Sequence, residues 1–184
     1  MSKLILGITG EMATGKTTIT EYITKHHGGI SFRFSTMLRD IAQRIHVEES
    51  RENLQALSTV LRAEFGDDLM SNVIAKDVEK AQGDIIIVEG IRRPSDVTYL
   101  KKLSGFHLIG IAVDMRTRYE RIIQRNENPD DQSKTWEAFQ AEQTQESEEK
   151  IQDILREAEI IIDNNGDLAS LHAQINAYIA SFTS

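Results

Sequence analysis

Residues 4–18 read "LILGITGEMATGKTT", and this stretch decides the fold. Its first part, Leu4 to Thr9, is a short apolar run rich in β-branched side chains, the pattern of a strand covered on both faces. From Gly15 to Lys25 the patterning is helical, so the unit is a strand, a glycine loop and a helix. Within it Gly10, Gly15, Lys16 and Thr17 meet the spacing G-x-x-x-x-G-K-[ST]. Each residue type has a task. The glycines let the backbone curl until its amides point inward at phosphate oxygens, and the helix behind aims its positive end at the same place. Lys16 would reach the β and γ phosphates, while the Thr17 hydroxyl would ligate Mg²⁺. A glycine turn before a helix needs no ligand, but chance rarely sets this spacing at a strand-to-helix junction. With Ala13, Thr14 and Thr18 completing the cup, the loop is expected to hold ATP with magnesium.

Further apolar runs follow at "ISFRF" (30–34), "DIIIVEG" (84–90), "HLIGIAVD" (107–114) and "EIIID" (159–163), with helical patterning between them. Five short strands alternating with helices predict an α/β fold: a mainly parallel five-stranded sheet with helices on both faces, in three layers. After Ser50, an expected N-cap, Leu54, Leu57, Leu61 and Phe65 recur at three and four residues, and Gly66 ends that helix. From Asp167 onward Leu168, Leu171, Ile175, Ile179 and Phe182 fall on one stripe, which predicts a closing helix against the sheet.

The chain has 184 residues, 40 % of them hydrophobic, enough for a single domain with one good core. Cysteine is absent, which excludes disulfides, thiolate nucleophiles and sulfur-built zinc sites. The first residues lack the length of a signal peptide, and no stretch approaches the ~20 apolar residues of a membrane span. A soluble, cytoplasmic protein is expected. A net charge of -8 argues against broad nucleic acid binding, which draws on phosphate neutralisation, so an anionic ligand needs a local basic pocket. A monomer and a homodimer fit the sequence equally.

What happens to the triphosphate is decided elsewhere. The run "DIIIV" ends in Glu89 and Gly90, an acid where a parallel sheet presents ligands at the carboxyl ends of its strands. Glu89 is expected to orient a magnesium-bound water or take a proton from the attacking group. In "DMRTRYERIIQRN", Arg118, Arg121 and Arg125 recur at three and four residues and share a helix face. Guanidiniums side by side repel one another unless they face an anion, and a transferring phosphoryl group is such a partner. Arg39, Arg62, Arg92 and Arg93 lie on the same side in this coarse picture and are candidates for the acceptor's anion. Residues 126–150 are polar and acidic, with only Trp136, Ala138, Phe139 and Ala141 apolar, a solvated segment or a lid. Trp136 and Phe139 are expected to staple that segment to the body. The adjacent His26 and His27 point apart on a helix and, with Gly28 and Gly29, mark its end.

These residues resemble the P-loop kinases of small nucleotide-like substrates, the group of nucleoside monophosphate kinases and dephospho-coenzyme A kinase. "GITGEMATGKTT" is similar to the opening of the latter, and "EAEIIIDNNGDLASLHAQI" to their close. "STMLRDIA", "ENLQALSTVLRAEFGDDL", "VEGIRRPSDVTYL" and "DDQSKTWEAF" resemble a less characterised branch of related kinase-like proteins. The resemblance implies a substrate-binding helical region at about 35–82 and an arginine-bearing lid at about 126–150. It implies Arg39, and Arg92 or Arg93, at the acceptor, Arg121 and Arg125 leading into the lid, and Asn165 with Gly166 near the donor base. Dephospho-coenzyme A kinases carry an Asp-x-Asp pair after the second strand where this chain has Ser35 and Thr36. The expected activity is therefore γ-phosphoryl transfer from ATP to a small nucleotide-like acceptor, first of all a nucleoside monophosphate. Dephospho-coenzyme A remains an alternative acceptor, and a non-catalytic ATP-binding module a rival from another class. A GTPase switch would want an Asn-Lys-x-Asp motif, which is missing.

Overall fold

The computed structural model describes residues 3–124, 131–143 and 146–182. Among them five strands form one parallel sheet in the order β2-β3-β1-β4-β5: β1 (Leu4–Thr9), β2 (Ile30–Arg33), β3 (Ile85–Ile91), β4 (Phe106–Ala112) and β5 (Ile160–Asp163). Each strand expected from the sequence is present, shifted by two residues at most at its ends. The helices are α1 (Lys16–His27), α2 (Phe34–Arg44), α3 (Arg51–Phe65), α4 (Leu69–Lys80), α5 (Met115–Gln124), α6 (Trp136–Gln143), α7 (Glu146–Arg156) and α8 (Leu168–Ala180).

Alternation along the strands sorts the core into two layers. Leu4, Leu6 and Ile8 of β1, Ile87 of β3 and Ile109 and Ile111 of β4 pack with Ile19 and Ile23 of α1 and with Leu171, Ile175 and Ile179 of α8. Their sequence neighbours Ile5, Ile86, Val88 and Leu108 face the other way, onto Phe34 and Leu38 of α2, Leu54 of α3, Met70, Ile74 and Val78 of α4 and Ile154 of α7. Ile19 and Ile23 are fully buried, and each such side chain stabilises the fold by about 1.5–3 kcal/mol. The helix ends follow the sequence signals: Ser50 accepts from the Asn53 amide at 3.2 Å, Gly66 closes α3, and Gly28 ends α1 just after His27.

Two stripes are narrower than expected. Leu168 and Phe182, at the ends of the closing helix, stay exposed, as does Phe65 at the end of α3. In the expected lid, Phe139 of α6 is fully buried, with its ring centroid 5.7 Å from Tyr119 of α5 and 5.8 Å from Trp136. The aromatic staple holds, and the Tyr119 hydroxyl adds a hydrogen bond to the Lys134 carbonyl at 3.0 Å.

The sheet order positions the site. From central β1 the chain builds β2 and β3 to one side and then β4 and β5 to the other, so a crevice opens at the carboxyl end of β1. The glycine loop lies there.

Candidate functional site

Gly15 has φ 93°, and a Cβ added to it would lie 2.5 Å from the Asn164 amide nitrogen. Only glycine suits both conditions. Ala13 also lies in the left-handed region, at φ 62°. The loop between is braced from within, since the Thr14 hydroxyl donates to the Glu11 carbonyl at 2.9 Å, and from outside, since Asn164 Nδ2 donates to the Thr14 carbonyl at 2.8 Å. α1 starts with no side-chain cap and no acidic residue in its first turn. Its first amides are left for an anion. Lys16 bends back over the rim, its Nζ donating to the Gly10 and Glu11 carbonyls at 2.7 Å each. Thr17 and Thr18 are exposed.

Beside the loop a cavity of about 300 Å³ is lined by Gly15, Thr18, Arg121, Asn164, Gly166 and Asp167 with Leu168. Arg121 is fixed at its edge by a 2.7 Å hydrogen bond from Nη2 to the Asn164 carbonyl. Gly166 is one of the residues that line this cavity. Asn165 is held beside it: its Oδ1 accepts from the Asp114 amide at 2.8 Å and its Nδ2 donates to Asp163 at 2.7 Å, which tie β5 to the turn before α5.

On the opposite side Glu89 lies in β3, two residues before its end, 5 % exposed, with Arg33 of β2 at 3.2 Å. The Thr9 hydroxyl donates to the Ile91 carbonyl at 3.1 Å and locks the ends of β1 and β3 together. Arg92 and Arg93 follow, exposed, with no acid in ion-pair range among the described residues. Their backbone amides donate to Asp96 Oδ2 at 2.9 and 3.0 Å, and Asp96 Oδ1 accepts from Arg62 Nη2 at 2.7 Å.

The remaining arginines depart from expectation. Arg62 is buried and bound to Asp96, with a further hydrogen bond to the Asp67 carbonyl, so it shapes the Arg92–Arg93 turn and does not face an acceptor. Arg39 is exposed and pairs with Glu49 at 2.9 Å. Hydrogen bonds from Gln43 first and Arg39 second hold the Glu49 carboxyl below the usual carboxylate range. Arg118, expected at the acceptor, is 1 % exposed: Nη2 lies 3.1 Å from Glu11 Oε1 of the glycine loop and Nη1 donates to Gln143 Oε1 of α6 at 2.6 Å. The anion that its position demanded is a carboxylate of the same chain. Arg125 lies outside the described residues.

Among the described residues no group of three or more His, Asp or Glu side chains could hold a metal. One hydroxyl at Thr17 and one carboxylate at Glu89 fit magnesium, which keeps most of its waters and takes further oxygens from phosphates. No helix among the described residues is long and apolar enough to cross a membrane.

Comparison with known proteins places this geometry. The family described as AAA domain matches residues 6–150. The chain belongs to this AAA domain family. A UPF0200 protein of Methanocaldococcus jannaschii is 33 % identical to this AAA domain protein over 138 residues, 74 % of this chain and 68 % of the relative. A UPF0200 protein of Hyperthermus butylicus is 25 % identical over 181 residues, covering 98 % and 96 % of the two chains. Among solved structures, shikimate kinase from Bacteroides thetaiotaomicron aligns with a TM-score of 0.65 at 14 % identity over 98 % of this chain and 99 % of that one. Shikimate kinase from Aquifex aeolicus aligns with a TM-score of 0.54 at 12 % identity over 98 % and 96 %. The likeness is one of fold.

For this AAA domain protein, sequence reasoning missed Glu11, Arg33, Asp96 and Asn164. Asn164 had a usable signal, an amide directly after the last strand, one residue before the Asn-Gly pair that drew attention. Arg33 had one too, as a cation ending the strand that precedes the Glu89 strand.

Proposed function

We propose that the protein is a magnesium-dependent kinase that passes the γ-phosphoryl group of ATP to a small nucleotide-like acceptor, of the nucleoside monophosphate class. One observation carries this reading: an uncapped, acid-free helix start stands at the glycine loop, directly beside a cavity of about 300 Å³. Phosphates on the loop amides and a base in the cavity satisfy both features at once.

On this reading the triphosphate draws Lys16 from the Gly10 and Glu11 carbonyls onto the β and γ phosphates. Bound magnesium, held through Thr17 with Glu89 toward its water shell, would neutralise charge on the transferring group. Arg121 would hold the base side of the donor, and Glu89 would orient the attacking oxygen. Arg92 and Arg93, exposed and without acidic partners among the described residues, would receive the acceptor's anion. The segment 126–150 would close over the pair and exclude water, with Phe139 as its anchor on α5. Phosphoryl transfer needs mostly positioning and fixed charge, which Lys16, Arg121, Arg92 and Arg93 would supply.

ADP release is the test, measured with ATP and Mg²⁺ against a panel of nucleoside monophosphates and dephospho-coenzyme A. Stimulation by an acceptor, lost in Lys16→Ala, is the expected result. Tight ATP binding with no stimulation by any of the panel would assign the chain to the non-catalytic modules instead.

A further inference from the structure

Arg33 and Glu89 are direct partners in the β2–β3 register. Their surroundings differ sharply, because β3 is interior and β2 is the edge strand. The Glu89 side chain is 7 % exposed and the Arg33 side chain 47 %, so a buried carboxylate is covered by a cation with one flank in solvent. Arg33 also lines a second cavity, of about 610 Å³, between β2, α2 and α4. Phe32, Met37, Ile41 and Ile74 give it an apolar lining, with Arg33 in its wall and Asp40 and Asp77 also lining it. Arg33 thus stands between the proposed catalytic carboxylate and an open chamber.

Exchange of partner suits such a cation. A half-exposed guanidinium keeps water along one flank, so a second anion reaching it from the chamber competes with Glu89 for it. For buried Glu89 the loss of that cation changes much more, since little water replaces it.

We propose that Arg33 is an exchangeable clamp on Glu89 and a specificity-determining residue for the acceptor. The proposal rests on the phosphoryl-transfer reading of this site. With the chamber empty, Arg33 covers Glu89. An acceptor whose body enters the chamber and whose anionic group, received by Arg92 and Arg93, also takes Arg33 uncovers the carboxylate for the nucleophile. The acceptor oxygen then bonds to the γ phosphorus, the bond from that phosphorus to the β–γ bridging oxygen breaks, and ADP leaves with the electron pair. Any proton on the attacking oxygen passes to Glu89. With ATP alone the same carboxylate stays covered, which restrains water from taking the acceptor's place.

The experiment is acceptor-free ADP release from ATP and Mg²⁺ by the full chain, with ADP affinity and melting temperature measured beside it. A positioned base is worth about 10²–10⁴-fold, so Arg33→Ala is expected to raise acceptor-free release by about tenfold or more. Arg33→Lys, which keeps a cation on Glu89, is expected to give back most of the restraint, and Glu89→Gln added to Arg33→Ala to remove the gain. ADP affinity should stay unchanged, because the ion-pair partner of Arg33 is Glu89 of β3 and not a residue of the glycine loop. A folded Arg33→Ala variant that binds ADP but releases it no faster than the wild type overturns the clamp, as does a gain that survives Glu89→Gln. Failure of the wild type to bind ADP at all would instead overturn the reading of the loop, and the clamp with it.

Discussion

Replacing Asp96 by Ala should unfold the protein far more readily than any change at the exposed arginines. The carboxylate takes three hydrogen bonds: Arg62 Nη2 at 2.7 Å, the Arg92 amide at 2.9 Å and the Arg93 amide at 3.0 Å. The Arg62 and Asp96 side chains are 7 % and 3 % exposed, so Ala at 96 leaves a guanidinium inside the protein with no counter-charge. Removing one partner of such a pair costs about 3–5 kcal/mol. A domain of this kind holds about 5–15 kcal/mol in all, so the loss is a large share of it.

Urea unfolding followed by far-ultraviolet circular dichroism measures this. With a slope near about 2 kcal/mol per molar urea, a 4 kcal/mol loss lowers the midpoint by about 2 M at unchanged slope. Arg62→Met combined with Asp96→Ala separates charge burial from the turn, because the double variant has no orphaned guanidinium. It should be more stable than the sum of the single changes by about 0.5–3 kcal/mol. A loss below about 1 kcal/mol for Asp96→Ala, or strict additivity, would refute the claim that this pair is a buried unit. The same variant should weaken acceptor binding while sparing ADP, since Asp96 shapes the Arg92–Arg93 turn and does not touch the glycine loop.

Gly15→Ala should abolish ADP binding in a calorimeter while leaving the fold intact, because the methyl group meets Asn164 at 2.5 Å in a backbone at φ 93°. Arg121→Ala, which strips the cavity edge, should weaken ADP and ATP alike by about 1–2 kcal/mol, or about five- to thirtyfold in Kd. Weaker transfer at unchanged affinity would return Arg121 to the outer phosphate. The Tyr178 hydroxyl is pushed up to about 12 from its ordinary 10.0 by burial, then by the nearby charge of Glu159. The folded state holds that proton more tightly than the unfolded chain, so its share of stability is full below pH 10.0 and is lost as the pH climbs toward about 12. Tyr178→Phe should flatten that alkaline fall in melting temperature, and an unaltered fall would refute the assignment.

Much of the fold was legible because its signals are local. Leu4 to Thr9, the glycine loop and the start of α1 lie within a few residues of one another, and alternation along β1 or β3 needs only the neighbouring side chains. Ser50 and Gly66 mark the ends of α3 for the same reason. The glycine loop was legible where it depends on backbone shape, at Gly10 and Gly15. The candidate site was poorly legible where it depends on which acid meets which base. The three-and-four spacing of Arg118 and Arg121 gave them a shared helix and could not give them partners: Glu11 arrives from the glycine loop, Gln143 from α6, and the Asn164 carbonyl from the end of β5. Arg62 met the same difficulty, since Asp96 comes from beyond a further helix and a strand.

Partner identity also divides the arginines by role in a way that charge counting does not. On the proposed reading, a protein of net charge -8 that receives a triphosphate and an anionic acceptor must leave some cations uncommitted on the site face. Arg62 and Arg118, each under a tenth exposed, are matched to Asp96 and Glu11, and burial makes those matches costly to break. Their charge organises the walls. Arg92 and Arg93 are exposed beyond the end of β3 on a turn that Asp96 stiffens, so their backbone is ordered while their guanidiniums remain available. Arg33 lies between these classes, matched to a buried acid yet half in solvent, which is the condition under which an incoming anion changes the state of the carboxylate behind it. The wall arginines should therefore report on stability, the turn arginines on acceptor affinity, and Arg33 on the rate at which ATP is lost to water.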